Sequence, residues 1–278
     1  MKTTLLTIAF GALALSAGAL TVGESVRLDI ESGAHHPVLA PDGKTLLFSS
    51  VNHEGLKAYD MATAAVTVID DSRGAGFDPV FSADGSEVYY RTAVTVDGLL
   101  NRDVRSYSLR DHQTRRLRKA DRNDVCLAGL TGCDFVSADY RTITVSRGGK
   151  TSSVSPLSDA HSYLWASMSP DGSRMIFTEP FKGVYVSNLD GTDARRIAAK
   201  GDFPTWSGND WVITVVSHDD GYVITDARLY AVNVNDGTTV GLTGDGVLVS
   251  EATASADGTV IYTDINGDMY MLKLNTVD

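Results

Sequence analysis

The segment PVLAPDGKTLLFSS, residues 37–50, sets Pro41-Asp42-Gly43 between two apolar runs. An aspartate at this place can hydrogen-bond the turn backbone, and Gly43 takes φ > 0 without Cβ strain. The segment therefore reads as a hairpin of two short strands. The pattern returns in PVFSADGSEVYYRT from Pro79, LWASMSPDGSRMIFTE from Leu164 and EATASADGTVIYTD from Glu251. Degenerate copies, DFVSADYRTITVS from Asp134 and FPTWSGNDWVITVVS from Phe203, fit between them. The anchors Asp42, Asp84, Asp139, Asp171, Asn209 and Asp257 recur at intervals expected of blades or a solenoid. Helical repeats are excluded because each unit alternates with the β period, as in Val260-Ile261-Tyr262-Thr263. A third strand often ends in a turn such as NLDGTDARRI or NVNDGTTVGL, and an outer strand follows. That makes four strands per unit and six units.

This pattern resembles the TolB-type β-propeller repeat, a relative of the WD repeats, over residues 25–275. The resemblance is specific at Pro41-Asp42-Gly43, Ala83-Asp84-Gly85, Pro170-Asp171-Gly172 and Ala256-Asp257-Gly258, and weaker in the third and fifth units. It implies an all-β fold, a single six-bladed propeller of four-stranded blades. The third unit is thin, with SRGGKTSSV supplying its hairpin. In the last unit, strands around Ala252–Ser255, Thr259–Thr263 and Met269–Leu274 leave nothing for a fourth, while Val26–Ile30 is unclaimed. Pairing this N-terminal strand into the last blade closes the ring and removes exposed edges. Trp165 and Trp206 fall on inner strands and read as blade core. TolB carries an α/β domain before its propeller, and the span from Leu20 to His35 has no room for one. Only propeller-mediated binding carries over.

Lys2, the uncharged run Leu5–Ala19 and the closing Ala17-Gly18-Ala19 form a secretory signal peptide, residues 1–19, cleaved after Ala19. The propeller domain is then 20–278, exported to the periplasm or secreted, without a transmembrane segment. A hydrophobic content of 43% with 26 glycines suits short strands and tight turns. The net charge of −11 argues against nucleic acid, whose phosphates need a basic face. Arg110, Arg115, Arg116, Arg118, Lys119 and Arg122 read as a solvated outer strand whose charges deter edge pairing, with an anionic docking patch as the alternative. Cys126 and Cys133 read as a disulfide in an oxidising compartment.

In a propeller, the loop entering each innermost strand and the loop joining its second and third strands open on one face, around the central funnel. The entering loops carry His35, His36, Asp78, Asp134, His161, Asp202 and Glu251. The second-to-third loops add His53, Glu179, His218, Asp219, Asp220 and Asp264. Five of the six histidines map to this face, and only His112 lies elsewhere. A set His35, His36, His161 and His218 is the candidate for a divalent metal. The opposing reading is that these are solvated loop residues.

Two function classes follow. The first is a non-catalytic binding or scaffolding propeller, a monomer engaging an envelope protein or a glycan through the funnel, with no certain cofactor. The second comes from a further resemblance, to the oligogalacturonate lyases, whose similar propellers hold a metal on funnel histidines; a full ligand set cannot be matched here. A sialidase Asp box is excluded because Ser82-Ala83-Asp84-Gly85 lacks the residue between Asp and Gly, and no Gly-x-Ser-x-Gly elbow occurs. The DINGD segment resembles a calcium loop without its downstream acidic ligand, and a hairpin turn accounts for it.

Overall fold

The computed structural model describes residues 19–120 and 127–277. Six antiparallel sheets surround a channel lined by an inner strand of each: a six-bladed β-propeller. Blade 1 comprises His35–Leu39, Thr45–Ser49, Glu54–Asp60 and Val66–Arg73. Blade 2 comprises Val80–Phe81, Glu87–Val96, Leu99–Ser108 and Thr114–Lys119. Blade 3 has three strands among the described residues, Phe135–Ala138, Ile143–Arg147 and Lys150–Val154. Blade 4 comprises Leu164–Met168, Arg174–Glu179, Gly183–Asn188 and Arg195–Ala198. Blade 5 comprises Asp202–Ser207, Trp211–Asp219, Ile224–Asn233 and Thr239–Gly241. Blade 6 comprises Val249–Ala254, Thr259–Asp264 and Met269–Val277.

The repeated tripeptide has a repeated chemistry. In blade 2, the Ser82 hydroxyl donates to Asp84 Oδ1 at 2.6 Å, which also accepts the Ser86 amide at 3.1 Å. The Gly85 amide closes the turn on the Ser82 carbonyl at φ 69°. Hydrogen bonds from Ser82 and Ser86 hold the Asp84 carboxyl down at about 2. Ser169 with Asp171 and Ser255 with Asp257 repeat the arrangement at 2.6 and 2.5 Å. Such turns satisfy their own polar groups, so they pack against one another. A Cβ on Gly43 would lie 3.3 Å from Ser255 Oγ of the neighbouring blade.

Six buried apolar clusters occupy the six seams between adjacent blades. Ring closure follows the expectation and extends it. Val26–Arg27 pairs with Tyr270 and Met271, and Ala19–Val22 continues the outer strand along Leu274–Val277. Leu28 and Ile30 then enter the seam between blades 6 and 1, beside Leu39, Phe48, Ile261 and Met269. Each buried side chain of this kind stabilises by roughly 1.5–3 kcal/mol. Thr114–Lys119, with Arg115, Arg116, Arg118 and Lys119, is the outermost strand of blade 2 and is largely exposed, as a charged edge should be. Residues 1–18 of the leader, Arg122 and Cys126 lie outside the described residues. Cys133 is buried with Tyr89, Val104 and Leu127 between blades 2 and 3.

Blade 3 runs the other way up. Tyr140, just after its inner strand, forms an antiparallel bridge with Tyr163, just before the inner strand of blade 4. Two parallel neighbours would hold these residues at opposite ends of the channel. Arg147, at the far end of the second strand, donates to the Gly172 carbonyl in blade 4's Asp-Gly turn at 2.6 Å. The other blades meet turn to turn, as in the Asp171 amide donating to Asn209 Oδ1 at 3.2 Å. The inner strand of blade 3 is thus antiparallel to those beside it.

Candidate functional site

The channel has a volume of about 870 Å³ and two different mouths. At one, the Asp-Gly turns of the repeat close together; at the other lie the histidines. Alignment on the turn aspartate puts His36, Asp78, Trp165, Phe203 and Glu251 at the same position, six residues before it. Four of them have positive φ: 56° at His36, 46° at Asp78, 49° at Trp165 and 50° at Phe203. The inner strands of blades 1, 4 and 5 slip register across this point. Left-handed backbone at a bulky residue costs of order 1–3 kcal/mol, so the packed blade below must hold it in place.

His36 bonds across the closing seam. Its amide donates to Glu251 Oε1 at 2.7 Å, Nδ1 faces Glu251 Oε2 at 3.1 Å and Nε2 faces the Val51 carbonyl at 3.2 Å. Both ring nitrogens meet acceptors, an arrangement complete only in the imidazolium. Burial is the largest single influence and works against the charge, yet the bond to Glu251, its negative charge and the Val51 carbonyl together raise the His36 pKa. Glu251 also faces His35 Nδ1 at 3.5 Å. Burial alone would raise this carboxyl, but the bonds from His36 bring it below its ordinary value. His53 stacks on His36 with centroids 3.7 Å apart and 16° between planes. Burial first, then the neighbouring charge, lowers the His53 pKa. Its Nδ1 lies 3.3 Å from the Gly76 carbonyl, and its ring meets Phe77 edge-on at 4.9 Å.

Arg91 lies 3.8 Å over the Phe77 ring at the channel wall. Beside it, Asp78 is open to the channel but crowded by protein, and this desolvation raises its pKa against the pull of His53 and Arg91. Asp202 is half-buried and also raised by burial, with Ser217 Oγ at 3.5 Å. His161 Nδ1 meets Glu179 Oε1 at 2.6 Å, and His218 Nδ1 lies 3.9 Å from Asp226. Asp219 and Asp220 cap amides of their own hairpin turn, Gly221 for the first and Tyr222 and Val223 for the second.

The structure therefore brings His35, His36, His53, Asp78 and Glu251 together and leaves His161, His218 and Asp202 in separate arrangements on the same face. The set His35, His36, His161 and His218 does not converge on a metal. Among the described residues no three His, Cys, Asp or Glu side chains group closely enough to hold an ion. Asp134 is placed at the opposite mouth, where its Oδ1 accepts the Gly148 amide at 2.8 Å, because blade 3 is inverted. Trp206 is buried and donates to the Ser167 carbonyl at 3.1 Å, as a core residue should. Trp165 is not core: it is 36% exposed and pairs with Phe203, 38% exposed, at 4.4 Å. The bulge turns both rings to the mouth. Phe203, Phe77 and Arg91 have no counterpart among the residues expected from sequence, and Trp165 was expected in the core, although Trp165 and Phe203 share the aligned position of His36 and Glu251.

Fold and site together define a six-bladed propeller with one polar, aromatic mouth. No family model matches the chain, and no curated protein matches its sequence. Among solved structures, a TolB candidate from Agrobacterium tumefaciens superposes with a TM-score of 0.61 at 17% identity, covering 94% of this chain and 100% of that one. The Cps50 (Swd1) β-propeller domain of Myceliophteria thermophila gives 0.55 at 10% identity, covering 92% and 100%. Oligogalacturonate lyase from Vibrio parahaemolyticus gives 0.47 at 14% identity, covering 87% and 77%. The first of these likenesses shows a TolB-like β-propeller fold.

Proposed function

We propose that this chain is an exported, non-catalytic propeller that works as a monomer in the periplasm or outside the cell. It engages a protein or glycan of the envelope through the histidine mouth. One observation carries this reading. Of the 19 exposed large hydrophobic side chains among the described residues, five (Val22, Val26, Val66, Val68 and Leu117) lie on outermost strands. The other 14 lie at the histidine mouth, from Val51 and Phe77 round to Phe181, fully exposed, and Ile265. Exposed apolar side chains concentrated on one face of the ring support a contact surface there. A metal-dependent lyase is the second reading; the engagement of its four histidines at three different places, His35 and His36 on Glu251, His161 on Glu179 and His218 beside Asp226, supports binding over it.

The test is binding of purified envelope proteins and glycans to immobilised wild-type chain and to two variants. Trp165→Ala/Phe181→Ser/Phe203→Ala should weaken a true ligand at least tenfold. Val66→Ser/Val68→Ser, on the outer edge of blade 1, should leave it unchanged. Equal effects from both variants would remove the mouth from the function.

A further inference from the structure

We propose that the hairpin of blade 2 is a docking arm for a basic, apolar segment of a partner protein, and that this arm, rather than the channel, supplies the main anchor. The inference rests on the binding role assigned to the histidine mouth. Glu87–Val96 and Leu99–Ser108 pair over ten positions, ending in an Asp97-Gly98 turn with φ of 51° and 76°. Their neighbours are much shorter. The inner strand pairs only with Val88 and Tyr89, and the outer strand and its continuation reach back only to Arg102. From Thr92 to Asn101 the hairpin therefore has no strand on either side among the described residues.

Its composition differs from that of the blade's other free edge. Thr114–Lys119 is guarded by Arg115, Arg116, Arg118 and Lys119. Thr92–Asn101 has a single charge, Asp97 at the tip, while Val94, Val96, Leu99 and Leu100 are 40, 51, 71 and 48% exposed. Val96 and Leu99 are directly paired, so they form one apolar knob. Unguarded apolar edges are a liability that proteins remove unless something covers them. Across the six-membered ring, blade 5 raises a second long hairpin, Trp211–Asp219 with Ile224–Asn233, tipped by Tyr222 and Val223. Between the two arms lie Asp202, whose carboxylate faces only Ser217 among the described residues, Asp78, beside Arg91, and Glu251, already held by His35 and His36.

Charge complementarity selects the occupant. The chain carries −11 overall, and Asp78 and Asp202 are the carboxylates of the floor that a partner's cations can meet. A segment whose apolar residues meet the tips and whose lysines or arginines lie over the floor fits both. An acidic or purely polar segment fits neither, since like charges at an interface are costly and exposed apolar area would stay wet.

Three acetylated octapeptides test this by fluorescence anisotropy on the intact chain at about 0.15 M salt, where long-range attraction is screened. One alternates lysine and valine, one glutamate and valine, one lysine and serine. The lysine–valine peptide should bind at least tenfold more tightly than the other two. Leu99→Ser/Leu100→Ser should reduce that binding at least tenfold with Tm unchanged, and Asp78→Asn/Asp202→Asn should flatten its salt dependence. The proposal is overturned if the lysine–valine peptide does not bind, if lysine–serine binds equally, or if the arm variant binds normally. It is also overturned if light scattering shows a dimer that the arm variant abolishes, since the occupant would then be a second copy. If the arm variant keeps a ligand that the Trp165/Phe181/Phe203 variant loses, the arm fails while the binding mouth stands.

Discussion

The two mouths of the channel are cut from the same strands and are opposite in character. At the turn mouth, Ser-x-Asp-Gly turns satisfy their own donors and acceptors, and glycine takes the positive φ. No large hydrophobic is exposed there among the described residues. At the histidine mouth, positive φ falls on His36, Asp78, Trp165 and Phe203, Asp78 and Asp202 sit where charge is disfavoured, and apolar side chains face solvent. One end is settled for stability; the other accepts strain and exposure, as surfaces built to meet a partner do.

The largest expected effect breaks the turn mouth. A Cβ on Gly258, at φ 84°, would lie 2.3 Å from the Leu274 carbonyl oxygen, where only backbone could yield. Gly258→Ala should lower stability by about 2–5 kcal/mol, as left-handed strain adds to overpacking, read as a fall in the urea midpoint. The same backbone strain at the other mouth should behave differently. Trp165→Asn trades a half-exposed indole for a residue that tolerates φ near 50°. Its stability should stay within about 1 kcal/mol of wild type, while ligand binding falls. A destabilisation as large as that of Gly258→Ala would make Trp165 a structural residue after all.

The smallest effect separates the stacked histidines by pH. The folded His36 pKa is raised, so its stabilisation is complete below about 6.5, the unfolded value, and is lost as pH rises through the folded value. Glu251 is lowered, so its share is present above its unfolded pKa and is lost as pH falls through the folded one. His53 is lowered and opposes its neighbour: its contribution is present above about 6.5 and is lost as pH falls towards its folded value. His36→Gln should therefore lose most Tm near pH 5–6, and His53→Gln should gain stability relative to wild type in the same acid range. Identical pH profiles for the two variants would show that the stack does not divide the proton this way.

The fold was readable because its signals are short. Asp42-Gly43 with its flanking strands, and the unclaimed Val26–Ile30, announce hairpins, period and closure within a few residues. The sequence assigns His35, His36, His53 and Glu251 to loops of one face, but which of that face's residues meet was not legible in it. Trp165 was misread because an aromatic on an inner strand is ordinarily core, and nothing in Leu164-Trp165-Ala166 announces a bulge. Asp134 was placed on the wrong face because the assignment assumed that every inner strand runs the same way.

Sequence alone thus determined the blades, their number and the strand that joins the ends, since turn chemistry and β alternation act over neighbouring residues. Tertiary structure decided which way up blade 3 sits, which histidines meet a carboxylate and which remain apart, and where the apolar surface gathers. Those outcomes rest on contacts such as His36 with Glu251 and Tyr140 with Tyr163. His36 and Glu251 meet only when the ring closes, and Tyr140 and Tyr163 only when blades 3 and 4 pack, so no local pattern encodes either pair.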